Sequence, residues 1–278
     1  MSNKNLVQTT TDEKGREIVM VRVDKTVKEM MAEKPASRWD PSYWHPEYDQ
    51  HFDLLEKSNY AIEPLENLML EKTDGITYGQ VGKRVYDKNG NVQYLQVSNI
   101  RLTGVDIHKQ YARIAERSHN DPERSRLEKN DILLINGGVG SLGRACMLVE
   151  KNIEYNISQD IDRIRLKNKK QGAYVTVFLN SYFGQKQIER FTKGVSGQTK
   201  IGFDHVKSIQ IPIMDVVVQK NIESEYKKMS AYHDKAMEAK KNNNETEYKK
   251  NIETAEKMLK DLVSKTEAVI RGEQKDII

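Results

Sequence analysis

The sequence predicts an α+β fold, a sheet-rich domain followed by a helical tail, and three observations carry that expectation. Between Ile62 and Ile213, short β-rich stretches are separated by glycines and charged turns. Nothing in that region repeats the strand, helix, strand period of a doubly wound sheet. After Met214 the pattern turns wholly helical, with apolar residues at heptad spacing. The chain has 278 residues, enough for one large domain or two modest units, so its core needs neither disulfides nor metals. Its divisions are expected at 1–37 for an N-terminal extension, 38–215 for the sheet-rich domain with an aromatic lead, and 216–278 for the helical region.

In chain order, the alternation of Arg16–Val23 around the turn-like Asp12-Glu13-Lys14-Gly15 predicts a hairpin or edge strand. Asp24 is placed to cap a short helix over Lys25–Glu33, stopped before Pro35. The run from Arg38 to Tyr48 holds both tryptophans and two prolines, which predicts an irregular strap packed against something. A helix is expected from Asp49 to Ser58. Strands are expected at Tyr94–Val97, after the Asn89-Gly90 turn, and at Asp131–Ile135, Ala145–Val149, Asp162–Leu166 and Tyr174–Val177. Tyr182–Thr192 reads as a helix with Phe183, Ile188 and Phe191 on one face, and Ser208–Ile213 as a last strand.

The helical region carries Ile222, Tyr226, Met229 and Ala236 at intervals of 4, 3 and 7. Tyr248, Ile252, Ala255, Leu259, Leu262, Thr266 and Val269 then continue at alternating 4 and 3. Such a narrow stripe needs a second helix to cover it. The expectation is a two-fold dimer through Ile222, Tyr226, Met229, Tyr248, Ile252, Leu259 and Leu262. Two alternatives stand beside it: an intramolecular hairpin turning at Asn242–Asn244, and a helix lying across its own domain.

Composition narrows the function. Hydrophobic residues make up 37% and charged residues 31%, and mean hydropathy is -0.75. No apolar run approaches the ~20 residues that span a bilayer, which excludes membrane insertion. The opening residues lack the apolar core of a secretory signal, and the lone Cys146 leaves no disulfide scaffold, so a cytoplasmic protein is expected. The net charge of +4 is unevenly placed: residues 71–215 hold 23 basic against 16 acidic side chains. A basic sheet-rich domain is a footprint for a polyanion, with ordinary solvated charge as the alternative.

Gly138-Val139-Gly140-Ser141-Leu142-Gly143 matches the dinucleotide pattern GxGxxG. That pattern needs a helix next, whereas Arg144–Val149 reads as a second strand. The glycines therefore read as a turn whose amides can lie close to a phosphate. The six histidines form no metal-binding cluster, and there is no HExxH, GxSxG or Walker lysine. No catalytic, cofactor-binding or metal-ligating residue is expected.

Nine segments, in order, carry a family resemblance: Arg38–Tyr48, Thr73–Gly79, Tyr94–Ile100, Asn130–Gly140, Asn156–Ile161, Phe178–Gln185, Gly194–Ile201, Ser208–Ile213 and Gln219–Ile222. Over roughly residues 38–270 the chain resembles the specificity subunits of Type I restriction-modification systems, in a half-length form with one target-recognition domain and one helical region. The resemblance implies a non-catalytic, sequence-specific subunit that binds double-stranded DNA. Its implied partners are an adenine DNA methyltransferase subunit and a restriction subunit, with a second copy dimerising through antiparallel helices. The alternatives are a stand-alone DNA-binding or regulatory protein with the same recognition fold, and an enzyme with nuclease activity.

Duplex recognition needs cations for phosphates and amides or hydroxyls for base edges. The stretch 83–126 supplies Lys83, Arg84, Arg101, Arg113, Arg117, Arg124 and Arg126 among Gln96, Asn99 and Asn120. The stretch 193–200 supplies Lys193, Ser196, Gln198 and Lys200 between glycines. Against this stand two other uses: Arg124 and Arg126 paired with Glu123 and Glu128, and Asn156 and Gln159 satisfying buried backbone groups. The rings of Trp39, Tyr43, Trp44 and Tyr48 are expected to be structural or to dock a methyltransferase subunit.

Overall fold

The computed structural model describes residues 7–23, 25–32, 41–79, 89, 92–106, 112–114, 126–150, 154–192 and 199–278. It is an α+β fold. The described strands are β1 (Val7–Thr11), β2 (Glu17–Val21), β3 (Ile62–Pro64), β4 (Ile76–Tyr78), β5 (Val92–Leu95), β6 (Ile100–Arg101), β7 (Gly104–Val105), β8 (Ala112–Ile114), β9 (Ile132–Ile135), β10 (Ala145–Met147), β11 (Glu154–Ile157), β12 (Ile161–Ile164) and β13 (Gln210–Pro212). The helices are α1 (Val27–Ala32), α2 (Pro46–Glu56), α3 (Leu65–Leu68), α4 (Lys72–Gly75), α5 (Gly172–Asn180), α6 (Tyr182–Phe191), α7 (Phe203–Lys207), α8 (Val216–Lys241) and α9 (Glu245–Ile270).

The N-terminal hairpin forms as its alternation implies. Asp12 accepts from the backbone of Lys14 and Arg16 and from the Arg16 guanidinium, and Gly15 takes a positive φ of 75°. The cap expected at Asp24 falls outside the described residues. In the structure α1 is closed at its start by a reciprocal pair, with the Thr26 hydroxyl accepting from Glu29 N and the Glu29 carboxylate accepting from Thr26 N. The next helix starts at Pro46, not Asp49, because proline fits the first turn, where its missing N–H removes no bond. A 3-10 turn over Pro41–Trp44 precedes it and buries Tyr43 and Trp44, with the Arg190 guanidinium 4.5 Å from the Tyr43 ring centre.

The main sheet is antiparallel, in the order β10-β9-β12-β4. Its register sets Ala145 opposite Leu134, Ile161 opposite Ile135, and Ile164 opposite Ile132 and Ile76. β9 is buried on both faces: Ile132 and Leu134 join a core with the helices, while Leu133 and Ile135 join a second core with Leu95, Ile157 and Ile161. That second core holds the small sheet β11-β5-β8, in which β11 runs parallel to β5. β3 and β13 pair as a separate ribbon.

The strand expected at Tyr174–Val177 is a helix, α5. Its β-branched residues suit a strand, but every residue from Gly172 to Leu179 is buried, so this helix is apolar on all sides and shows no 3.6-residue stripe. Gly172 lets it approach β10, since a Cβ there would lie 2.8 Å from Met147 Sδ.

The C-terminal region is a helical hairpin. Asn243 takes a positive φ of 55°, and the Asn244 side chain caps α9 by accepting from Glu247 N. At the far end Asn221 donates to Asp276, tying the start of α8 to the chain beyond α9. Ile222, Tyr226, Met229, Leu259 and Leu262 are buried within the chain, so these five of the seven seam positions are covered without a second copy. Tyr248 and Ile252 stay half-exposed. The apolar core also crosses residue 215: Met147 N donates to the Tyr226 hydroxyl at 3.0 Å, and Tyr174, Phe178 and Ala255 share one cluster. None of the described helices is long and apolar enough to cross a membrane.

Candidate nucleic-acid interface

β9 and β10 are joined by the glycine turn. Arg144–Val149 continues into a strand, as read from the sequence, and Gly138, Gly140 and Gly143 take φ of 105°, 76° and 84°. This turn meets the segment that begins at Thr199. Gly138 N donates to Thr199 O, Gly137 bridges to Lys200, and Ile201 N donates to Asn136 O at 3.0 Å. Two stretches singled out in the sequence, some 60 residues apart, thus form one edge.

Beside that edge lies an open hollow of about 680 Å³, lined by Tyr78, Asn136, Gln159, Lys200, Phe203 and Lys207 among others. Tyr78 stacks on Phe203, with ring centres 5.5 Å apart. Lys200 Nζ bonds Asp160 at 2.9 Å with both side chains part-exposed, so that pairing is weak and open to exchange. Under the rim, Asn136 Nδ2 donates to Asp162 Oδ1 at 2.5 Å and to Gln159 O at 3.2 Å. Asp162 is fully buried. Burial pushes its carboxyl up to about 7, against the opposing pull of the Asn136 bond and the Lys200 charge. Among the described residues, Asn136 Oδ1 and Asp162 Oδ2 have no hydrogen-bond partner.

The other expected contacts are scattered. Lys83, Arg84, Arg117, Arg124, Lys193, Ser196 and Gln198 lie outside the described residues. Arg113 sits in β8 opposite Gln93. Arg126 pairs with Glu154 at 3.1 Å, not with Glu128, which instead meets Arg165 and Lys169. Arg101 lies beside the β6–β7 turn, where its guanidinium is 3.9 Å from Asp106. Asn156 satisfies backbone, its Oδ1 accepting from Ile157 N, whereas Gln159 is exposed at the hollow.

That β6–β7 turn docks on α8. Thr103 Oγ1 and His233 Nδ1 are 2.8 Å apart, and His233 Nε2 is 3.2 Å from Val105 O. The carbonyl requires Nε2 to carry the proton, so Nδ1 accepts from the threonine. Burial lowers the His233 pKa, which keeps the ring neutral. Lys240 Nζ bonds the buried Asp106 at 2.8 Å.

Sequence reading overlooks Tyr78, Asn136, Asp162, Arg163 and Phe203. One carboxylate and two guanidiniums set among apolar residues in the stretch Ile161–Leu166 are the available signal, because buried charges need partners. Arg165 forks onto Asp131 at 2.7 and 2.8 Å, and Arg163 Nη2 donates to Thr73 O at 2.6 Å.

No family model matches the chain, and no curated protein matches it. The chain is similar to a number of solved structures, among them the following three. The Type-I restriction-modification system S subunit from M. genitalium shows 14% identity and a TM-score of 0.44, over 66% of this chain and 42% of that one. The type IIG restriction endonuclease BpuSI shows 12% identity and 0.48, over 97% and 37%. The HsdS subunit from Thermoanaerobacter tengcongensis shows 12% identity and 0.40, over 80% and 51%. The chain therefore spans between 37% and 51% of the length of these structures.

Proposed function

We propose that the chain is a sequence-specific, non-catalytic DNA recognition subunit that places a partner adenine methyltransferase, and with it a restriction subunit, on a duplex. The hollow carries this reading: two amide side chains, Asn136 and Gln159, and two lysines, Lys200 and Lys207, converge beside a glycine turn and an aromatic pair. Amides and cations in one concavity are the two contact types that site-specific binding needs. The order of family-like segments and the basic balance of residues 71–215 support it.

The test is fluorescence anisotropy on duplex DNA over a salt series. Affinity should fall steeply as salt rises, because lysines and arginines that meet phosphates release counterions. Lys200→Glu combined with Lys207→Glu should weaken binding and flatten the slope. An affinity independent of salt would overturn the reading.

Assembly belongs to the same proposal. A groove of about 640 Å³ runs along α9, where Tyr248, Ile252 and Val263 leave apolar surface beside Arg101 and Leu102. A second copy packing there would duplicate the recognition surface and specify a two-part target. Light scattering at tens of micromolar should give twice the chain mass; a monomer mass would remove the homodimer and leave the partner subunit as the occupant.

A further inference from the structure

The amide of Asn136 has one orientation open to it. The Gln159 carbonyl is an acceptor whatever the charge of its surroundings, so Nδ2 must face it, and the second amide hydrogen then goes to Asp162 Oδ1. Both of its hydrogens are then engaged. What remains is Oδ1, an acceptor without a partner among the described residues, on a side chain that lines the hollow from a residue only 7% exposed. An acceptor left bare and shielded from water is costly, and a structure built only for stability would cover it with a donor.

Resting on the recognition role above, we propose that Asn136 is a specificity-determining residue that accepts a hydrogen bond from the exocyclic amino group of a base, adenine N6 or cytosine N4, with Asp162 as the residue that positions it. Guanine O6 and thymine O4 present acceptors in the major groove and are rejected there, because two facing acceptors repel. The Tyr78 ring, stacked on Phe203 and 36% exposed, lines the same hollow and offers a face on which a base can pack as its edge meets Asn136. Lys200 and Lys207 stand on the rim to meet the flanking phosphates. Asp162 lies beneath this surface and does not touch the base; its task is to hold the amide, its Oδ1 accepting from Asn136 Nδ2.

The experiment is selection of the purified full chain from a library of randomised duplexes, run in parallel with Asn136→Leu, Asp162→Asn and Tyr78→Leu. Wild type should enrich a motif containing adenine or cytosine at a position where Asn136→Leu shows no preference. Asp162→Asn should blur the same position, because an amide there can donate to Asn136 Oδ1 and use up the acceptor. Replacing the selected base with an analogue lacking the amino group should weaken wild type about 5- to 20-fold and leave Asn136→Leu unchanged. Binding to unselected duplex should stay within about twofold for all variants, since phosphate contacts dominate it. Should Asn136→Leu fail to fold, Asp162→Asn, which removes a buried carboxylate, and Tyr78→Leu, at an exposed ring, carry the comparison. Identical motifs from wild type and from the folded variants would overturn the role of Asn136 while leaving DNA recognition standing. Failure of wild type to enrich any motif would overturn both.

Discussion

The hollow at the glycine turn and the contact between the β6–β7 turn and α8 are both polar, both built from strand ends, and bonded in opposite ways. At the helix contact the polar groups are matched: Thr103 with His233, His233 with Val105 O, Asp106 with Lys240, and Asn99 Nδ2 with Asp106 O. At the hollow, Asn136 Oδ1 and, beneath it, Asp162 Oδ2 are buried without a hydrogen-bond partner among the described residues. Matched polar groups fix one geometry, and unmatched ones raise the free energy of the resting state until something arrives to complete them. The first pattern belongs to architecture; the second is the one that the proposed recognition role would put to use.

The largest expected effect breaks the comparison through pH. The Asp162 pKa is raised from 3.8 to about 7 by burial, so the fold binds a proton that the unfolded chain has released. Its contribution is fully present below pH 3.8 and is lost as pH rises through 7, a change of about 4 kcal/mol. Asp162→Asn should therefore raise stability by up to that amount at about pH 8 and change it little at about pH 4. His51 has the opposite sign. Burial among Phe52, Tyr182 and Phe183 lowers it from 6.5 to about 4, so its contribution is present above 6.5 and is lost as pH falls toward 4, by about 3 kcal/mol. Between about pH 4 and 6.5 the two oppose each other. Urea midpoints against pH should accordingly slope upward in Asp162→Asn and downward in His51→Phe. Parallel curves for the three proteins would show that neither group is as buried as described.

Much of this fold is written locally. The runs Ile132–Ile135 and Ala145–Met147 are short, β-branched or apolar, and bounded by turn residues, and Tyr182–Phe191 carries a clear helical stripe. The parallel pairing of β11 with β5 has no local signal, because its partners lie some 60 residues apart and are joined by the core between them. α5 escapes a local reading for a related reason: a helix buried on every side has no polar face to mark its period. At the site, the glycines and Lys200 are visible as chemistry, but their meeting is tertiary. Asp162 is harder still. Alternation assigns a polar residue in a strand to the solvent face, whereas β12 lies between β9 and β4 and every one of its residues is buried.

The second effect sharpens the architectural side. A Cβ on Gly104 would lie 2.7 Å from His233 Cδ2, so Gly104→Ala cannot keep both the turn and the ring in place. The helix contact must open or the ring must turn away from Thr103 and Val105, leaving buried groups unpaired. The expected loss is about 2 kcal/mol, read as a drop in melting temperature of roughly 5 °C. Hydrogen exchange in α8 around His233 should quicken, and exchange at the glycine turn should not.

The smallest effect on stability is expected where the effect on binding is large. Lys200 pairs with Asp160 on the rim with its side chain 57% exposed, and a pair so solvated is worth about 0–1 kcal/mol in the fold. Lys200→Ala should leave the melting temperature within about 1 °C. The same change removes a cation from the edge where the glycine turn, Asn136 and Gln159 converge, and taking away one lysine–phosphate pairing lowers the salt slope by about one. Arg101 supplies the contrast, since its guanidinium faces Asp106 beside α8. Arg101→Ala should cost the fold more than Lys200→Ala does and DNA affinity less. If the two substitutions exchanged places, with Lys200 governing melting and Arg101 governing the salt slope, the binding surface would lie at the helix contact, and the unmatched groups of the hollow would be a cost without a use.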